Sequence, residues 1–275
     1  MRKLSGKDLA QAIRAQTAAE VEAGPQPRLA VVVATGDEAS LWYVRSIAKA
    51  AAGVGIAADI VDLGPDARPE QIRESLIRLS GDSGVHGLML QTPLPPGASA
   101  QELAGAIDPR KDVDGANPLS LGRLAAGLPA FAPATAAAVM ALLDHYEVEL
   151  KGRRAVVVGR STVVGKPLAH LLLDRHATVT VCHSRTRDLA SVTSAAEVLV
   201  AAVGRAGLIG AEHVAPGAVV IDVGTNPTED GGLTGDVDFE AVSAKAEALT
   251  PVPGGVGPVT TALLLRHTAR AANLP

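Results

Sequence analysis

The sequence contains few aromatic residues, a single cysteine, and no long run of basic or of apolar residues. Aromatic residues make up 2% of its 275 positions, which argues against platforms on which nucleic-acid bases stack. The lone cysteine, Cys182, excludes an internal disulfide framework and is expected to be a small buried side chain. The net charge of -4 gives no indication of a polyanionic partner such as nucleic acid.

The same sequence also lacks features of membrane and secreted proteins. No apolar stretch is long enough to cross a bilayer, and residues 1–16 lack the apolar core of a signal peptide. These absences predict a soluble, cytoplasmic protein with no membrane partner. Hydrophobic residues make up 47% of the chain, which is long enough for two modest domains with cores of their own.

Strand-like apolar runs alternate with helical patterns along most of the chain, which implies parallel strands covered by helices. In the front half, strands are predicted at 28–35, 56–63 and 85–92, and helices at 37–55 and 69–80. After a helix at 134–146, further strands are predicted up to residue 158 and at 178–183, 198–204 and 218–226, before a last helix at 258–272.

This pattern predicts an α/β protein of two domains with a cleft between them. We expect a front α/β domain that binds the substrate and comprises residues 1–120 plus 258–275, with the last helix returning to pack on it. Residues 121–257 are expected to form a Rossmann-like domain that binds a dinucleotide.

The stretch 156–172 predicts a strand, a tight turn from Gly159 to Gly165 and the start of a helix. Such a turn exposes backbone N–H groups beside the positive end of a helix dipole, which suits a phosphate, although a glycine loop can also be only a turn. It departs from G-x-G-x-x-G, with Ser161 at the second glycine and one extra residue. The next strand ends in HSRT (183–186), where enzymes that prefer NAD usually carry an acidic residue, so the pattern favours NADP.

Ligands of open α/β sheets bind outside the carboxyl ends of the strands. The loops expected there follow Thr35, Gln91, Gly159, Gly204 and Gly224. Taken alone, Gln91 is a strand-end glutamine that meets water, and His183 either contacts adenosine or caps its strand. The proline- and glycine-rich segment 251–261 is either a rigid lead-in to a helix or a turn that lets backbone approach a ligand closely.

Two aspartates, Asp112 and Asp114, lie in one loop, KDVDG. Paired loop aspartates are most often turn and cap formers. No third carboxylate or histidine follows at metal-ligand spacing, so no metal site is expected.

Several motifs together resemble the bifunctional methylenetetrahydrofolate dehydrogenase/methenyltetrahydrofolate cyclohydrolase (FolD) family. They keep the family's order and cover nearly the whole chain: GDEAS-x-x-YV (36–44), QTPLPP (91–96), KDVDG (111–115), GRSTVVGKP (159–167), HSRT (183–186), DVGTN (222–226), GDVDF (235–239) and TPVPGGVGP (250–258). The resemblance implies a homodimeric enzyme of one-carbon metabolism that uses NADP and a tetrahydrofolate derivative.

The resemblance also implies roles for individual residues. Tyr43 stacks on the folate, Gln91 hydrogen-bonds near the reacting carbon, and Asp114 holds the pterin ring. Arg160 and Ser184 contact the 2′-phosphate. The other residues implied for the substrate are Ser40, Pro253, Gly254 and Gly255, and those implied for the cofactor are Gly159, Ser161, Gly165, His183, Arg185, Thr186, Val203, Gly204, Gly224 and Thr225.

One catalytic position departs from the family, which carries a lysine four residues after the tyrosine. That position is Ile47 here, and residues i and i+4 share a helix face, so an isoleucine stands where an ammonium would reach the substrate. Lys49 and Arg45 do not replace it, because two residues rotate a side chain by roughly 200°. The family's PCTP segment reads Pro133-Ala134-Thr135-Ala136, and Thr92 replaces a leucine.

Because dehydrogenation needs no proton transfer to a side chain whereas cyclohydrolysis does, the sequence predicts an NADP-dependent methylenetetrahydrofolate dehydrogenase with weak or absent cyclohydrolase activity. Three alternatives stay open: a fully bifunctional enzyme, a paralogue acting on a modified pterin or another one-carbon adduct, and a non-catalytic NADP- or folate-binding protein.

Overall fold

The computed structural model describes residues 1–228 and 230–274 and divides the chain into two compact units. Glu229 and Pro275, which fall in the predicted back and front domains, lie outside the described residues. The front unit comprises Gln11–Ala134 and Thr261–Pro275, and the back unit comprises Met1–Ala10 and Thr135–Thr260.

The strands are β1 (Arg2–Lys3), β2 (Arg28–Val33), β3 (Ala57–Asp62), β4 (Gly87–Leu90), β5 (Arg154–Val158), β6 (Thr178–Cys182), β7 (Val198–Ala201), β8 (Val219–Asp222), β9 (Asn226–Pro227), β10 (Leu233–Thr234) and β11 (Ala248–Leu249). The helices are α1 (Lys7–Ala23), α2 (Glu38–Ala52), α3 (Pro69–Gly81), α4 (Ala100–Ala104), α5 (Pro118–Ala125), α6 (Ala134–His145), α7 (Gly165–Asp174), α8 (Leu189–Thr193), α9 (Phe239–Ser243) and α10 (Val256–Ala271). Within residues 1–228 and 230–274, one 3₁₀ turn is present, at Ala211–His213.

The front unit contains a parallel sheet in the order β3-β2-β4. Its middle strand, β2, is apolar and buried on both faces, as expected of a central parallel strand. Alternate residues of β2 face opposite sides. One side packs on a cluster that includes α2 and α10 residues, and the other on a cluster that includes α3 residues.

Helix α2 begins where the sequence predicts it, because Asp37 accepts a hydrogen bond from the backbone N–H of Ser40 at 2.8 Å. It ends at Ala52, three residues before the predicted end, with Gly53 as its C-cap. The cap fixes the start of α2 beside the carboxyl ends of β2 and β4, where Thr35 and Gln91 follow the strands.

The back unit contains a six-stranded parallel sheet in the order β1-β11-β8-β7-β5-β6. The chain leaves β5 for β6 on one side and then returns to β7 on the other side. The strand order therefore reverses at β5, which is where open α/β sheets bind their ligands. This arrangement confirms the predicted Rossmann-like fold of the second half of the chain.

The units divide the chain at positions other than the predicted 120/121 and 257/258. Residues 121–134 stay with the front unit, where the Phe131 ring lies 5.1 Å from that of His267. Residues 1–10 belong to the back unit because β1 pairs with β11. Two residues of strand leave no periodic signal that a sequence analysis can detect.

The last strand predicted in each half of the chain is shorter in the structure than the sequence predicts. Strand β4 spans four residues where 85–92 was expected, and β8 stops at Asp222 where 218–226 was expected. Apolar composition continues into the loops in both places. Among the helices of residues 1–228 and 230–274, none combines the length and the apolar character that a membrane span requires.

Candidate active site

Gln91, the first residue after β4, is only 8% exposed and so is not a strand-end glutamine in open water. Its Nε2 donates to the carbonyl oxygen of Thr92 at 2.5 Å. Its Oε1 is buried and has no hydrogen-bond partner among the described residues. A buried acceptor without a partner is costly, so this oxygen is suited to receive a donor from a ligand or another side chain.

Ser40 lies on the first turn of α2 and links that helix to the segment after Gln91. Its hydroxyl is 2.6 Å from the Asp37 carboxylate and 3.3 Å from the carbonyl oxygen of Thr92. The structure thus brings together the loops after β2 and β4, as the sequence predicts for loops at one edge of a parallel sheet.

The two aspartates of the KDVDG loop have different structural roles. Asp112 is fully buried and accepts hydrogen bonds from the backbone N–H groups of Ala116 and Asn117, at 3.0 and 2.8 Å. Asp114 has no hydrogen-bond partner for its carboxylate among the described residues, and burial, together with the charge of Asp112, raises its pKa to about 7. Asp112 is therefore the turn former, and Asp114 is the carboxylate available for chemistry.

Tyr43 lies close enough to Asp114 for the two to interact electrostatically. Burial and the Asp114 charge raise the pKa of Tyr43 to about 12, against a hydrogen bond with Thr261 that lowers it. The phenol therefore keeps its proton at any ordinary pH. It can stack on a ring or donate a hydrogen bond, but it does not act as a base.

Ile47, one turn beyond Tyr43, is 0% exposed and belongs to the apolar cluster of the front unit. The same cluster contains Met89, two residues before Gln91, and Val113, next to Asp114. Ile47 is thus part of the apolar support beneath the polar residues of the site and brings no ionisable group to it.

Sequence reasoning missed His267, a buried residue on α10. Its Nδ1 lies 2.9 Å from the carbonyl oxygen of Val113, and burial lowers its pKa to about 4. The neutral ring therefore donates to the backbone of the KDVDG loop beside Asp114. Scattered histidines carry no pattern, so no signal in the sequence could have identified this one.

In the back unit, the glycine loop fits tightly against neighbouring backbone at the point where the strand order reverses. Gly159 has φ +131°, and a Cβ there would lie 2.2 Å from the carbonyl oxygen of Ala202, just after β7. A Cβ on Gly165 would lie 2.1 Å from the carbonyl oxygen of Gly159. Ser161 accepts a hydrogen bond from the N–H of Val164 at 3.2 Å and so braces the start of α7. Backbone packed this closely at a helix start is suited to a phosphate group.

Arg160 and Ser184 are exposed and occupy equivalent positions after the neighbouring strands β5 and β6. Val158 pairs with Cys182, so Arg160 and Ser184 each stand two residues beyond the paired ends of β5 and β6. Arg185 is exposed as well. These side chains provide positive charge and a hydroxyl with no acidic residue between 183 and 187, which fits a phosphate better than a ribose diol.

The other two residues of HSRT shape the turn. His183 donates its backbone N–H to the hydroxyl of Thr186 at 2.9 Å, and its Nδ1 accepts from the N–H of Arg185 at 3.1 Å. His183 and Thr186 therefore stabilise the turn that exposes Ser184 and Arg185.

The loops after β7 and β8 contain four further candidate residues. Val203 and Gly204 donate their backbone N–H groups to the carboxylate of Asp236. Gly224 is buried, and a Cβ there would lie 2.3 Å from that carboxyl group, so packing explains this glycine. Thr225 is exposed beside it.

The turn at 251–255 approaches other backbone closely. Gly254 has φ +104°, and its carbonyl oxygen accepts a hydrogen bond from the N–H of Gly6 at 2.9 Å. A Cβ on Gly255 would lie 2.6 Å from the carbonyl oxygen of Pro251, and Pro253 is exposed. The segment is thus a rigid turn, and the hydrogen bond from Gly6 holds it in place.

Comparison with known proteins adds an independent line of evidence. The model of the tetrahydrofolate dehydrogenase/cyclohydrolase catalytic domain matches residues 4–114, and that of the NAD(P)-binding domain of the same family matches residues 133–274. A curated relative from Saccharopolyspora erythraea, named bifunctional protein FolD 1, is 67% identical over 274 residues, which cover 98% of this chain and 94% of the relative.

Solved structures agree with these matches. The bifunctional FolD methylenetetrahydrofolate dehydrogenase/cyclohydrolase from Campylobacter jejuni superimposes with a TM-score of 0.95 and 39% identity, covering 99% of both chains. The Trypanosoma brucei enzyme of the same name, solved with NADP cofactor and an inhibitor, superimposes with a TM-score of 0.92 and 37% identity, covering 98% of this chain and 96% of that one.

Proposed function

Because the chain belongs to the tetrahydrofolate dehydrogenase/cyclohydrolase family, we propose that it oxidises 5,10-methylenetetrahydrofolate to 5,10-methenyltetrahydrofolate with NADP and hydrolyses the product weakly or not at all. Membership of the family makes it an oxidoreductase of one-carbon metabolism that uses a nicotinamide dinucleotide and a folate. The observation that carries the proposal is Ile47, a fully buried isoleucine one helical turn after Tyr43, at the position where the family resemblance implies a lysine.

In the front unit, we assign the folate to the residues at the carboxyl ends of β2 and β4. Tyr43 stacks on the folate ring as a neutral phenol, and Asp114 accepts hydrogen bonds from the pterin. The orphaned Oε1 of Gln91 supports a contact near the reacting carbon. Ser40 holds the segment after Gln91 in place.

In the back unit, the glycine loop from Gly159 to Gly165 and the turn at 183–186 provide the backbone, positive charge and hydroxyl that suit the phosphates of NADP. We assign the 2′-phosphate to Arg160 and Ser184, beside Arg185, and the pyrophosphate to the backbone between Gly159 and Gly165. We place His183 and Thr186 beside the adenosine end of the cofactor. Along the dinucleotide we place Val203, Gly204, Gly224 and Thr225. Beside the nicotinamide and the folate we place Pro253, Gly254 and Gly255. When bound, the cofactor supplies a hydride acceptor. In this proposal the protein is a cytoplasmic homodimer.

The chemistry of the two reactions explains why Ile47 affects only one of them. Loss of a hydride from the methylene carbon leaves a delocalised cation and requires no proton transfer to a side chain. A nearby ammonium would oppose that growing positive charge. Hydrolysis needs water to attack the methenyl carbon and protons to reach the departing nitrogen, work for which an amine of adjusted pKa is suited. An isoleucine leaves the first reaction intact and removes the group needed by the second.

Full bifunctionality is the competing assignment, and the names of the curated relatives favour it. The two assignments differ in one measurable quantity, the rate at which added methenyltetrahydrofolate is hydrolysed. Catalysed hydrolysis as fast as NADPH formation would establish the bifunctional alternative.

We expect the purified protein to form NADPH when it is given methylenetetrahydrofolate and NADP, and to leave methenyltetrahydrofolate to decay at its uncatalysed rate. Absorbance records NADPH formation and the loss of the methenyl compound separately, because the second experiment contains no nucleotide. A protein that binds NADP but never reduces it would instead be a non-catalytic binding protein.

The cofactor assignment makes a prediction of its own. Arg160→Ala should raise the KM for NADP by about tenfold to hundredfold, because one charged hydrogen bond to a phosphate is lost. The KM for NAD should stay within twofold, since NAD has no 2′-phosphate. Arg154→Ala, an exposed arginine at the opposite end of β5, is the matched control and should change neither constant. An equal effect of Arg160→Ala on both cofactors would place the 2′-phosphate elsewhere.

A further inference from the structure

A fully buried carboxylate determines the shape of the loop after β7. Asp236 is 0% exposed and accepts the backbone N–H groups of three consecutive residues. Its Oδ2 lies 2.6 Å from the nitrogen of Val203 and 3.0 Å from that of Gly204, and its Oδ1 lies 2.8 Å from that of Arg205. Successive N–H groups that converge on one anion form a concave backbone nest, and here the anion belongs to the chain itself.

A second carboxylate holds the first one in position. Asp222, the last residue of β8, accepts the N–H groups of Asp236 and Val237, each at 3.0 Å. A Cβ on Gly235 would lie 1.8 Å from the Asp222 carboxylate. The motifs DVGTN and GDVDF are therefore joined through Asp222, while Asp236 reaches on to the loop after β7.

The fourth donor to Asp236 is the side chain of Asn226, whose Nδ2 lies 3.0 Å from Oδ1. Four N–H donors on one buried carboxylate compensate for the loss of its hydration, as a buried charge requires. A neutral amide cannot replace it, because the amide offers one acceptor oxygen and turns an NH₂ group toward the remaining donors.

This arrangement limits what the loop after β7 can offer a ligand. Because the N–H groups of Val203 and Gly204 are engaged by Asp236, only their carbonyl oxygens and surfaces are available to a dinucleotide. The loop begins next to Ala202, whose carbonyl oxygen packs on Gly159 of the glycine loop. Its conformation therefore bears directly on the dinucleotide-binding edge of the back unit.

We propose that Asp236 is a positioning residue that holds the Val203–Arg205 loop in the conformation that receives the dinucleotide. Asp236 touches no ligand in this inference and acts through the backbone of the loop. The inference rests on the proposed function, because it takes NADP as the ligand of this edge.

Asp236→Asn should raise the KM for NADP by about tenfold to hundredfold while the KM for methylenetetrahydrofolate, measured at saturating NADP, changes by less than twofold. Asp238→Asn is the matched control. Asp238 is exposed two residues further on and caps α9, and asparagine caps helices equally well. This control should leave both constants unchanged.

A milder substitution covers the outcome in which Asp236→Asn fails to fold. Asn226→Ala removes one donor to Asp236 and keeps all three bonds to the loop, so the KM for NADP should rise only about two- to threefold. Circular dichroism and the thermal midpoint show whether each variant is folded.

The inference is overturned if folded Asp236→Asn keeps the wild-type KM for NADP or raises both KM values equally. If that variant does not fold, an Asn226→Ala protein with a lower thermal midpoint but an unchanged KM for NADP overturns it. If the wild-type protein never forms NADPH, the proposed function fails. In that case calorimetric titration of NADP into wild type and the variants still tests Asp236, with the same fold-changes expected in Kd.

Discussion

Replacing Ile47 with lysine is expected to raise the rate of methenyltetrahydrofolate hydrolysis by about 10²–10⁴-fold, the usual contribution of one well-placed acid–base group. The position shares its helix face with Tyr43, one turn earlier. It also belongs to the cluster that contains Val113 and Met89, which precede Asp114 and Gln91. The amine of a lysine at position 47 would therefore extend from this cluster toward the polar residues Asp114 and Gln91.

The surroundings of Ile47 also favour a reactive amine. Burial lowers the pKa of a lysine, so a part of the amine would be neutral near pH 7 and able to accept a proton. The Oε1 of Gln91 is a buried acceptor without a partner among the described residues, and an ammonium is a donor suited to it. The same burial should cost about 1–3 kcal/mol in the free energy of unfolding, because a charged group enters an apolar cluster.

Ile47→Met is the matched control, since it provides an unbranched side chain of similar reach without the amine. Hydrolysis, followed by loss of methenyl absorbance, should rise in Ile47→Lys alone, and the lysine variant should form NADPH more slowly than wild type. A folded lysine variant with no gain would mean that other departures, such as Thr92 and Pro133–Ala136, also block hydrolysis.

Asp114→Asn is expected to weaken the enzyme and stabilise the fold at the same time. An amide keeps one acceptor oxygen but loses the charge, so kcat/KM for the folate should fall by about tenfold to hundredfold. Wild-type kcat/KM should increase with pH to a plateau above about pH 7, following ionisation of Asp114, whose pKa is raised to about 7. The variant should lack this dependence.

The effect of Asp114 on stability has the opposite sign. Because its pKa is higher in the folded protein than in the unfolded chain, the contribution of Asp114 is favourable at low pH and is lost as pH rises through the folded pKa. The ionised group therefore costs the fold about 2–4 kcal/mol at pH 8 and less at pH 5. Asp114→Asn should recover most of this difference in urea unfolding.

Asp112→Asn tests whether the gain in the free energy of unfolding is specific to position 114 or follows from any asparagine in this loop. Asp112 accepts two backbone N–H groups, and an amide would turn an NH₂ toward one of them. Its substitution should lower the free energy of unfolding by about 1–3 kcal/mol. If both asparagine variants were destabilised, the idea that Asp114 is held for function at the expense of stability would be wrong.

The sequence predicts features of this protein that depend on local pattern. The position of α2 follows from the helical pattern that begins at residue 37, and the strand, glycine turn and helix around Gly159 follow from β-branched residues interrupted by glycine. The alternation of strands and helices gave the two α/β units. Each element in these patterns spans fewer than twenty residues, a length that propensity and periodicity can identify.

Features that depend on distant contacts could not be predicted in this way. Nothing in KDVDG distinguishes Asp112, which accepts the backbone N–H groups of the turn, from Asp114, whose carboxylate has no hydrogen-bond partner among the described residues. The bond from His267 to Val113 joins residues far apart in the chain, and only the fold brings them together. Likewise, Asp236 resembles an ordinary turn aspartate until its four donors are seen.

The pairing of β1 with β11 has a consequence for how the protein is made. Residues 2 and 3 leave the ribosome long before their partners, 248 and 249, are synthesised. The hydrogen bond from Gly6 to Gly254 cannot form until residue 254 has been synthesised. Contacts of such long sequence separation form late. We therefore expect a nascent chain to form its glycine loop well before its 251–255 turn.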